Sequence, residues 1–452
     1  MRNLRRGHVL AIAVAGAIGW GGSISWAQQQ PSQEPTAAEL KAQIEALQKQ
    51  VQRLEESQRD SARLAAQTET TKSEVMQDAS KRSTLLGESE FTAGYQKGKF
   101  LIQSGDGNYL LHPWFQFQPR YVFNMRDDGK GPGDDDTESG FEIRRMKVGV
   151  DGNIFNKETT YNFTWATNRS GGALELEEAW VRHIFQNQVT LRGGQIKEPY
   201  SHENVASSKM LLAADRSLLN EVFVGGDNFI QGVAVGYGND KNPWQMEVAY
   251  HDGPQSANTN FQDDVAPTND TRPDWAFSGR AQYRAKGDWK QYADYTALNN
   301  KADLLVFGGG LNFNQTGDTN VFGQTVDAQW ENTTGFGIYG EVHGRATDGS
   351  AGSLFDWGLM VQAAQMLDKK HWEVFGRYSF IDRDEDSVAA GFDNQLHEIT
   401  IGLNYYFDGQ NAKFTIDGTY LPNGVPTNIT GIGFLANEDA EFVFRGQFQL
   451  LL

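Results

Sequence analysis

From about Phe100 to the C-terminus, apolar and polar residues alternate with a period of two, which predicts strands with one apolar face. Tyr109, Leu111, Phe115, Phe117, Tyr121 and Phe123 interleave with Gln116, Gln118 and Arg120. The alternation returns in Trp244–Tyr250, Trp275–Tyr283, Phe355–Val361, Trp372–Phe380 and Ile399–Phe407, and Phe442–Leu452 closes the chain in the same way. Short polar turns at Phe155–Glu158, Asn239–Pro243, Leu367–Lys370 and Asp408–Ala412 separate strands at one end. Longer acidic loops at Asp127–Gly140, Asp252–Asp274, Ala346–Ser353, Asp382–Asn394 and Pro422–Asp439 join them at the other. That plan, with aromatics crowding the strand ends, predicts an all-β transmembrane antiparallel barrel of about 16 strands rather than a sandwich or propeller. Pro113 and Pro119 donate no ladder bonds and predict an interrupted or bulged early strand. Val189–Gly226 breaks the pattern: it opens as a strand, stops at Pro199 and ends in a helix-like run at Ser217–Asn220. Such a segment predicts a loop folded into the lumen.

Ahead of the strands the period changes. Residues 1–27 carry Arg2, Arg5 and Arg6, an apolar core from Val9 to about Ile18, and Ser25-Trp26-Ala27, the layout of a secretory signal peptide. Leu40, Ile44, Leu47, Val51 and Leu54 form a heptad seam and predict an N-terminal coiled-coil helix. β-branched residues at a with leucine at d favour a parallel dimer in isolation, a preference that tethered assembly can override. The domain plan is a signal peptide at 1–27, a periplasmic linker and coiled coil at 28–89, and the barrel at 90–452.

If the apolar side chains face lipid, the residues between them face an aqueous interior. Arg280, Arg284 and Lys286 then form one basic stripe, and Arg145 and Lys147 point inward from another strand. Phe141 and Ile143 lie in the opposite phase, so the strand needs a bulge near Arg144. Arg120, Arg192, Arg345 and Arg377 are further interior candidates. Arginine rows suit anion passage, because guanidinium stays charged and binds oxyanions through two donors. Arginines paired with Glu142, Glu175 or Glu247 would equally line any water-filled barrel, and both readings stand at this point.

Four stretches in order, Phe141–Gly149 (FEIRRMKVG), Leu191–Tyr200 (LRGGQIKEPY), Glu203–Lys209 (ENVASSK) and Asp215–Glu221 (DRSLLNE), resemble the phosphate-selective porin O/P family. The resemblance runs over about residues 90–452. It implies a sixteen-stranded, homotrimeric outer-membrane channel whose third long loop folds inward. Arg144 and Arg145 resemble the paired strand arginines of the constriction, with Lys147 in the same motif. Ser207, Ser208 and Lys209 resemble the Ser-Ser-Lys of the inward loop, Arg216 the arginine facing them, and Glu175 a constriction acid. Asn204 stands where the phosphate-specific members carry lysine, and Leu452 ends the chain in place of an aromatic residue. The solute is therefore open between phosphate and other small anions.

With no cysteine, disulfides and thiolate chemistry are excluded. Removing the three arginines of residues 1–27 from 40 basic residues leaves 37 against 58 acidic ones, or −21. So acidic a chain is a poor partner for nucleic acid. Asp382, Asp384 and Asp386 echo a calcium loop, but Ser387 stands where such a loop needs glycine. No zinc-protease, serine-hydrolase or phosphate-loop motif occurs, so neither an enzyme nor a metal or other cofactor is expected. Gly308-Gly309-Gly310 reads as relief of crowding. The expected protein is a passive, anion-preferring channel set in the outer-membrane lipid of a Gram-negative-type bacterium, with residues 40–54 a candidate cell-wall contact. A general or sugar-passing porin is the alternative, and a non-channel adhesin or scaffold barrel a further one.

Overall fold

The structure, a computed structural model, describes residues 91–452 apart from 97, 128–135, 261–272, 274, 351 and 389–390, together with scattered positions between 41 and 72. The chain divides into two units, Met1–Arg82 and Ser83–Leu452. In the first, the described residues, Lys41, Glu45 and Lys49 among them, are helical. The predicted signal peptide and the seam positions Leu40, Ile44, Leu47, Val51 and Leu54 lie outside the described residues.

The second unit begins with a hairpin, β1 (Phe91–Gln96) and β2 (Lys99–Ser104). The first half of the strands that follow is β3 (Leu110–Arg126), β4 (Thr137–Asn153), β5 (Thr159–Thr167), β6 (Leu174–Ile184), β7 (Val189–Lys197), β8 (Phe229–Tyr237), β9 (Trp244–His251) and β10 (Trp275–Lys286). The second half is β11 (Leu304–Thr316), β12 (Thr319–Glu331), β13 (Phe336–Gly349), β14 (Gly352–Met366), β15 (Trp372–Asp382), β16 (Gln395–Asp408), β17 (Ala412–Leu421) and β18 (Glu441–Leu451). From β3 onward each strand pairs antiparallel with the next, and β18 returns to pair with β3. Leu452 seals the seam by exchanging both backbone bonds with Phe115, at 2.9 and 3.0 Å. The ring therefore has the expected sixteen strands and no free edge. The hairpin adds two more, held by two residue pairs between β2 and β3.

The alternation is inside out relative to a water-soluble protein. Val248, Leu311, Val326 and Ile401 are exposed on the outer surface, while their strand neighbours Arg280, Asp327, Arg377, Glu398 and Arg445 are buried. Closed strands satisfy every ladder bond within the sheet, which a chain crossing hydrocarbon requires. Among the described residues no helix is long and apolar enough to cross a membrane.

Two connections depart from the sequence expectation. Ala346–Ser353 is not a long loop: β13 and β14 pair out to Gly349 and Gly352, with only two residues of sequence between them. Its glycines and small polar residues resemble loop composition but here continue a ladder. Conversely, residues 287–303 form a long connection at the end where the others are short. Trp289, Tyr292 and Tyr295 of this connection are buried, with Trp289 and Tyr292 packed on Leu304 and Val306 and Tyr295 near Tyr339.

Candidate functional site

Residues 198–228, between β7 and β8, are organised by their own caps. After Pro199, Ser201 caps the short helix His202–Val205, and Ser217 caps Leu218–Phe223 by accepting from the Asn220 N–H at 3.1 Å. Glu203 ties the two together, accepting from the Ser217 N–H at 2.8 Å and its hydroxyl at 2.6 Å. Arg216 is buried and donates to the carbonyls of Glu203 and Ala206, both at 2.9 Å, and to Asp227 at 2.7 Å. Lys197 donates to the carbonyls of Asn204 at 2.8 Å and Ala206 at 3.0 Å, so two cations brace the end of the first helix.

The same segment bonds to strands far along the ring. Asp417 accepts from the Ala214 N–H and Glu398 from the Leu218 N–H, both at 2.9 Å. Arg377 donates to the Asp215 carbonyl at 2.9 Å, Asn404 to that of Leu212 at 3.0 Å, and Lys413 to that of Leu211 at 2.8 Å. Leu212, Leu218, Leu219 and Phe223 join Phe375, Val425, Ile432 and Phe434 in one apolar cluster. The segment and these strands thus share one buried apolar contact.

The two strand arginines are set by a bulge. Gln118 faces Arg145 and Pro119 faces Ile143, which leaves Arg144 as the extra residue, where the conflict of phases required it. Both guanidinium groups then reach Asp215 from the same side of the sheet, Arg144 through Nε at 2.8 Å and Arg145 at 3.2 Å, and Arg120 joins them. Burial alone would raise the Asp215 carboxyl, but Arg144, Arg120 and Arg145 override it and hold its pKa far below the usual carboxylate range. Arg120 also meets Glu142 at 2.5 Å, and Arg169, in the connection between β5 and β6, lies 3.6 Å from the same carboxylate.

Lys147 pairs with Glu177 at 2.5 Å, because a second bulge, between the pairs Thr164–Glu178 and Trp165–Leu176, leaves Glu177 unpaired in the ladder. Glu175 lies apart and exposed, accepting from the Asn168 amide at 2.7 Å. Ser208 is buried against Gln116 and Gln118, and the Lys209 ammonium sits 4.0 Å over the Trp114 ring. Ser207 borders open space together with Glu178, Arg192, Lys197, Pro199, Val205 and Glu247, around a cavity of about 200 Å³. A larger cavity of about 640 Å³ shares Arg192, Pro199, Val205 and Glu247 with it and adds Arg182 and Arg280. The open space thus lies against β6–β10.

The basic stripe of β10 does not stay together. Arg280 is buried, 2.7 Å from Asp327, 2.8 Å from the Tyr292 hydroxyl and 3.1 Å from the Tyr200 carbonyl. Glycines make this possible: a Cβ on Gly308 would stand 2.2 Å from Arg280 and one on Gly310 2.3 Å from the Tyr200 carbonyl. Arg284 instead donates to the Asp240 carbonyl at 3.0 Å and lies over Trp289, and beyond a register shift Lys286 is exposed. The sequence reading also passed over Arg169, Arg182, Lys197 and Tyr292. Strict alternation through Glu178, Trp180 and Arg182 was the signal for Arg182. Tyr292 stacks on His202 at 3.9 Å, joining the connection 287–303 to the segment 198–228, and burial, with Arg280 beside it, pushes the imidazole down to about 3. Among the described residues no group of three His, Cys, Asp or Glu side chains converges to hold a metal ion.

The family model described as phosphate-selective porin O and P matches residues 116–268 and 264–421. In fold the chain is similar to the anion-selective porin from Comamonas acidovorans, with a TM-score of 0.54 and 12% identity over 76% of this chain and 99% of that one. It is also similar to Salmonella typhi OmpF in complex with daunomycin, with a TM-score of 0.52 and 13% identity over 76% of this chain and 99% of that one. At such identities the likeness is one of fold. No curated protein matches the chain in sequence. With the closed ring, its apolar exterior and a family match over more than half its length, the chain belongs to the phosphate-selective porin O and P family, passive channels of the Gram-negative outer membrane.

Proposed function

We propose that the channel prefers anions and that residues 198–228 fold inward to narrow it, leaving a path along the wall from β4 to β9. The observation that supports this best is the gathering of Arg120, Arg144 and Arg145 on one carboxylate, Asp215, in a chain whose acidic residues outnumber its basic ones 58 to 40. Further along the same wall Lys147 keeps its pair with Glu177, and Lys197, Arg192 and Arg182 keep cations beside the open space, with Ser207 on its border. A small anion would pass between these groups, bound weakly enough at each to leave for the next. The anion-selective porin of similar fold is in line with this reading.

Phosphate is the first solute to try, given the family. Asn204 is buried, donating to the Glu198 carbonyl at 3.2 Å and accepting from the Asn228 N–H at 3.0 Å. A residue so placed braces its own loop, which favours an anion pore of broader taste. A general or sugar-passing pore is the second reading, favoured by Asp215 itself, which offsets much of the arginine charge. We take the working assembly to be the homotrimer implied by the sequence resemblance. The deciding measurement is the reversal potential of purified channels in a planar bilayer under a salt gradient. Anion preference is expected, and cation preference would overturn the proposal. Block of the chloride current by low phosphate would favour phosphate over the general pore.

A further inference from the structure

The hairpin β1–β2 stands outside the closed ring, and no step of ion passage uses it. It is firmly attached all the same. Ser104 is buried at its base and its hydroxyl accepts from the Tyr109 N–H at 3.0 Å, while Asn153 of β4 donates to the carbonyls of Gly107 at 3.0 Å and Asn108 at 2.8 Å.

The pairing register sorts the hairpin side chains into two faces. Phe91 stands opposite Ser104, Ala93 opposite Ile102 and Tyr95 opposite Phe100, so these six share one face. Thr92, Gln96, Lys99 and Gln103 lie on the other, with Gly94 and Leu101. Ile102 in turn pairs with Leu111 of β3. Gln116 and Gln118 point into the barrel, where both donate to Ser208, so the odd-numbered residues Leu111, Phe115 and Phe117 point out. The aromatic face of the hairpin is therefore in phase with the outer, lipid-facing surface of the wall.

The same register gives its direction. β3 starts at the short-turn end and β2 runs antiparallel to it, so the start of β2 points back along the wall toward the bilayer. Phe100 lies two residues beyond Ile102 in that direction, about 7 Å at the rise of a strand. The hairpin does not stay in the sheet. Phe115 exchanges both backbone bonds with Leu452 across this edge, so by alternation Pro113 faces it too, without an N–H to donate. The ladder between β2 and β3 stops at Leu111, and the hairpin leaves the edge with Tyr95 75% exposed and Phe100 exposed opposite it. At the base Phe91 meets Tyr109 at 6.4 Å, and Tyr109 meets Phe155, in the turn after β4, at 6.0 Å. Phe155 is exposed as well, on a backbone φ of 66°. The aromatic row thus runs along the rim, from the hairpin past β3 to the next short turn.

We propose that the aromatic face of β1–β2, with Tyr109 and Phe155, is a membrane-docking surface, seated at the boundary between headgroups and acyl chains of the periplasmic phospholipid leaflet. Continuity with the lipid-facing wall supports lipid as the occupant over a second copy of the chain. So does the division of the hairpin, with rings and a tyrosine hydroxyl on one side and Thr92, Gln96 and Lys99 on the other, as in elements that lie in a membrane interface. The docking surface is independent of which ion the channel prefers.

The chain has no cysteine, so single cysteines in the full-length channel carry a nitroxide label without background. In phosphatidylcholine vesicles, collision of the label with oxygen reports hydrocarbon, and collision with a water-soluble nickel chelate reports water. Ala93→Cys and Tyr95→Cys are expected to give an oxygen-to-nickel ratio several-fold above that of Thr92→Cys and Gln96→Cys. Val326→Cys, on the lipid-facing wall, and Lys370→Cys, in an exposed connection, set the two ends of the scale. Nickel access at Ala93→Cys and Tyr95→Cys equal to that at Thr92→Cys would overturn the proposal. Exclusion of both reagents from these labels would overturn it too, and dipolar broadening between labels would then assign the face to a second copy. Should Tyr95→Cys fail to insert, Ala93→Cys, which leaves every ring in place, decides by the same measurement.

Discussion

The two sides of the barrel interior are written in the same alternation yet hold their charges differently. Against β15–β18 the pairs are dry and exclusive: Arg377 meets Glu398 and Arg445 meets Asp417, each at 2.6 Å and each with both side chains almost wholly buried. Against β4–β9 the pairs are part-exposed, Arg192 with Glu247 at 2.7 Å and Lys147 with Glu177, and Asp227 is divided between Arg216 and Lys197. The difference follows from what lies opposite. The first wall faces residues 211–218, whose N–H and carbonyl groups complete the hydrogen bonding of Asp417, Glu398 and Arg377. The second faces cavities from β6 onward. A buried charge with backbone partners is committed to the fold, whereas one beside water remains available to a passing ion.

The largest expected effect comes from breaking a pair on the filled wall. Arg377→Ala leaves Glu398 buried without its cation and removes two donors from the carbonyls of Asp215 and Arg216. It should cost on the order of 3–5 kcal/mol, read as a lower unfolding temperature of the purified barrel. A smaller and different effect is expected on the open wall. Arg192→Ala should cost roughly 1 kcal/mol or less, because its pair is part-exposed, yet should lower the anion-to-cation permeability ratio. Equal losses of stability in the two variants, or unchanged selectivity in Arg192→Ala, would erase the distinction between the walls.

How far this contrast was legible depends on the range of the interactions that make it. Strand faces are local, so the period of two gave the ring, and the clash of phases around Phe141–Lys147 required the bulge that Arg144 occupies. Charge partners are not local. Asp215 lies 70 to 95 residues from the arginines it gathers, and no spacing rule connects them. One-residue irregularities also defeat motif matching: the bulge at Glu177, rather than Glu175, decides which acid reaches Lys147, since a slip of one residue reverses the face. Residues 287–303 were missed for another reason. Trp289, Tyr292 and Tyr295 have the aromatic content of a strand, and what buries them is packing on β11, β13 and the segment around His202, visible only once the ring is closed.

The finest distinction between the walls falls on Glu221, which lies between β7 and β8 beside Arg144. Burial raises its carboxyl to about 7, with Arg144 and Arg216 opposing the rise and Asp215 and Asp227 adding to it. Below that pH the group is neutral, and above it a negative charge appears beside Arg144. The folded channel holds this proton more tightly than the unfolded chain does, so between about 4.5 and 7 rising pH also removes stability. Anion preference should therefore fall as pH rises from about 5.5 to 8.5, by roughly twofold, the scale of one screened charge near a path. Ordinary exposed carboxylates titrate near pH 4 and are already ionised throughout this range, so they do not produce the same trend. Glu221→Gln should flatten the pH profile at its low-pH value. A profile that keeps its slope in Glu221→Gln would assign the titration to another group and return Glu221 to the charges that serve only the fold.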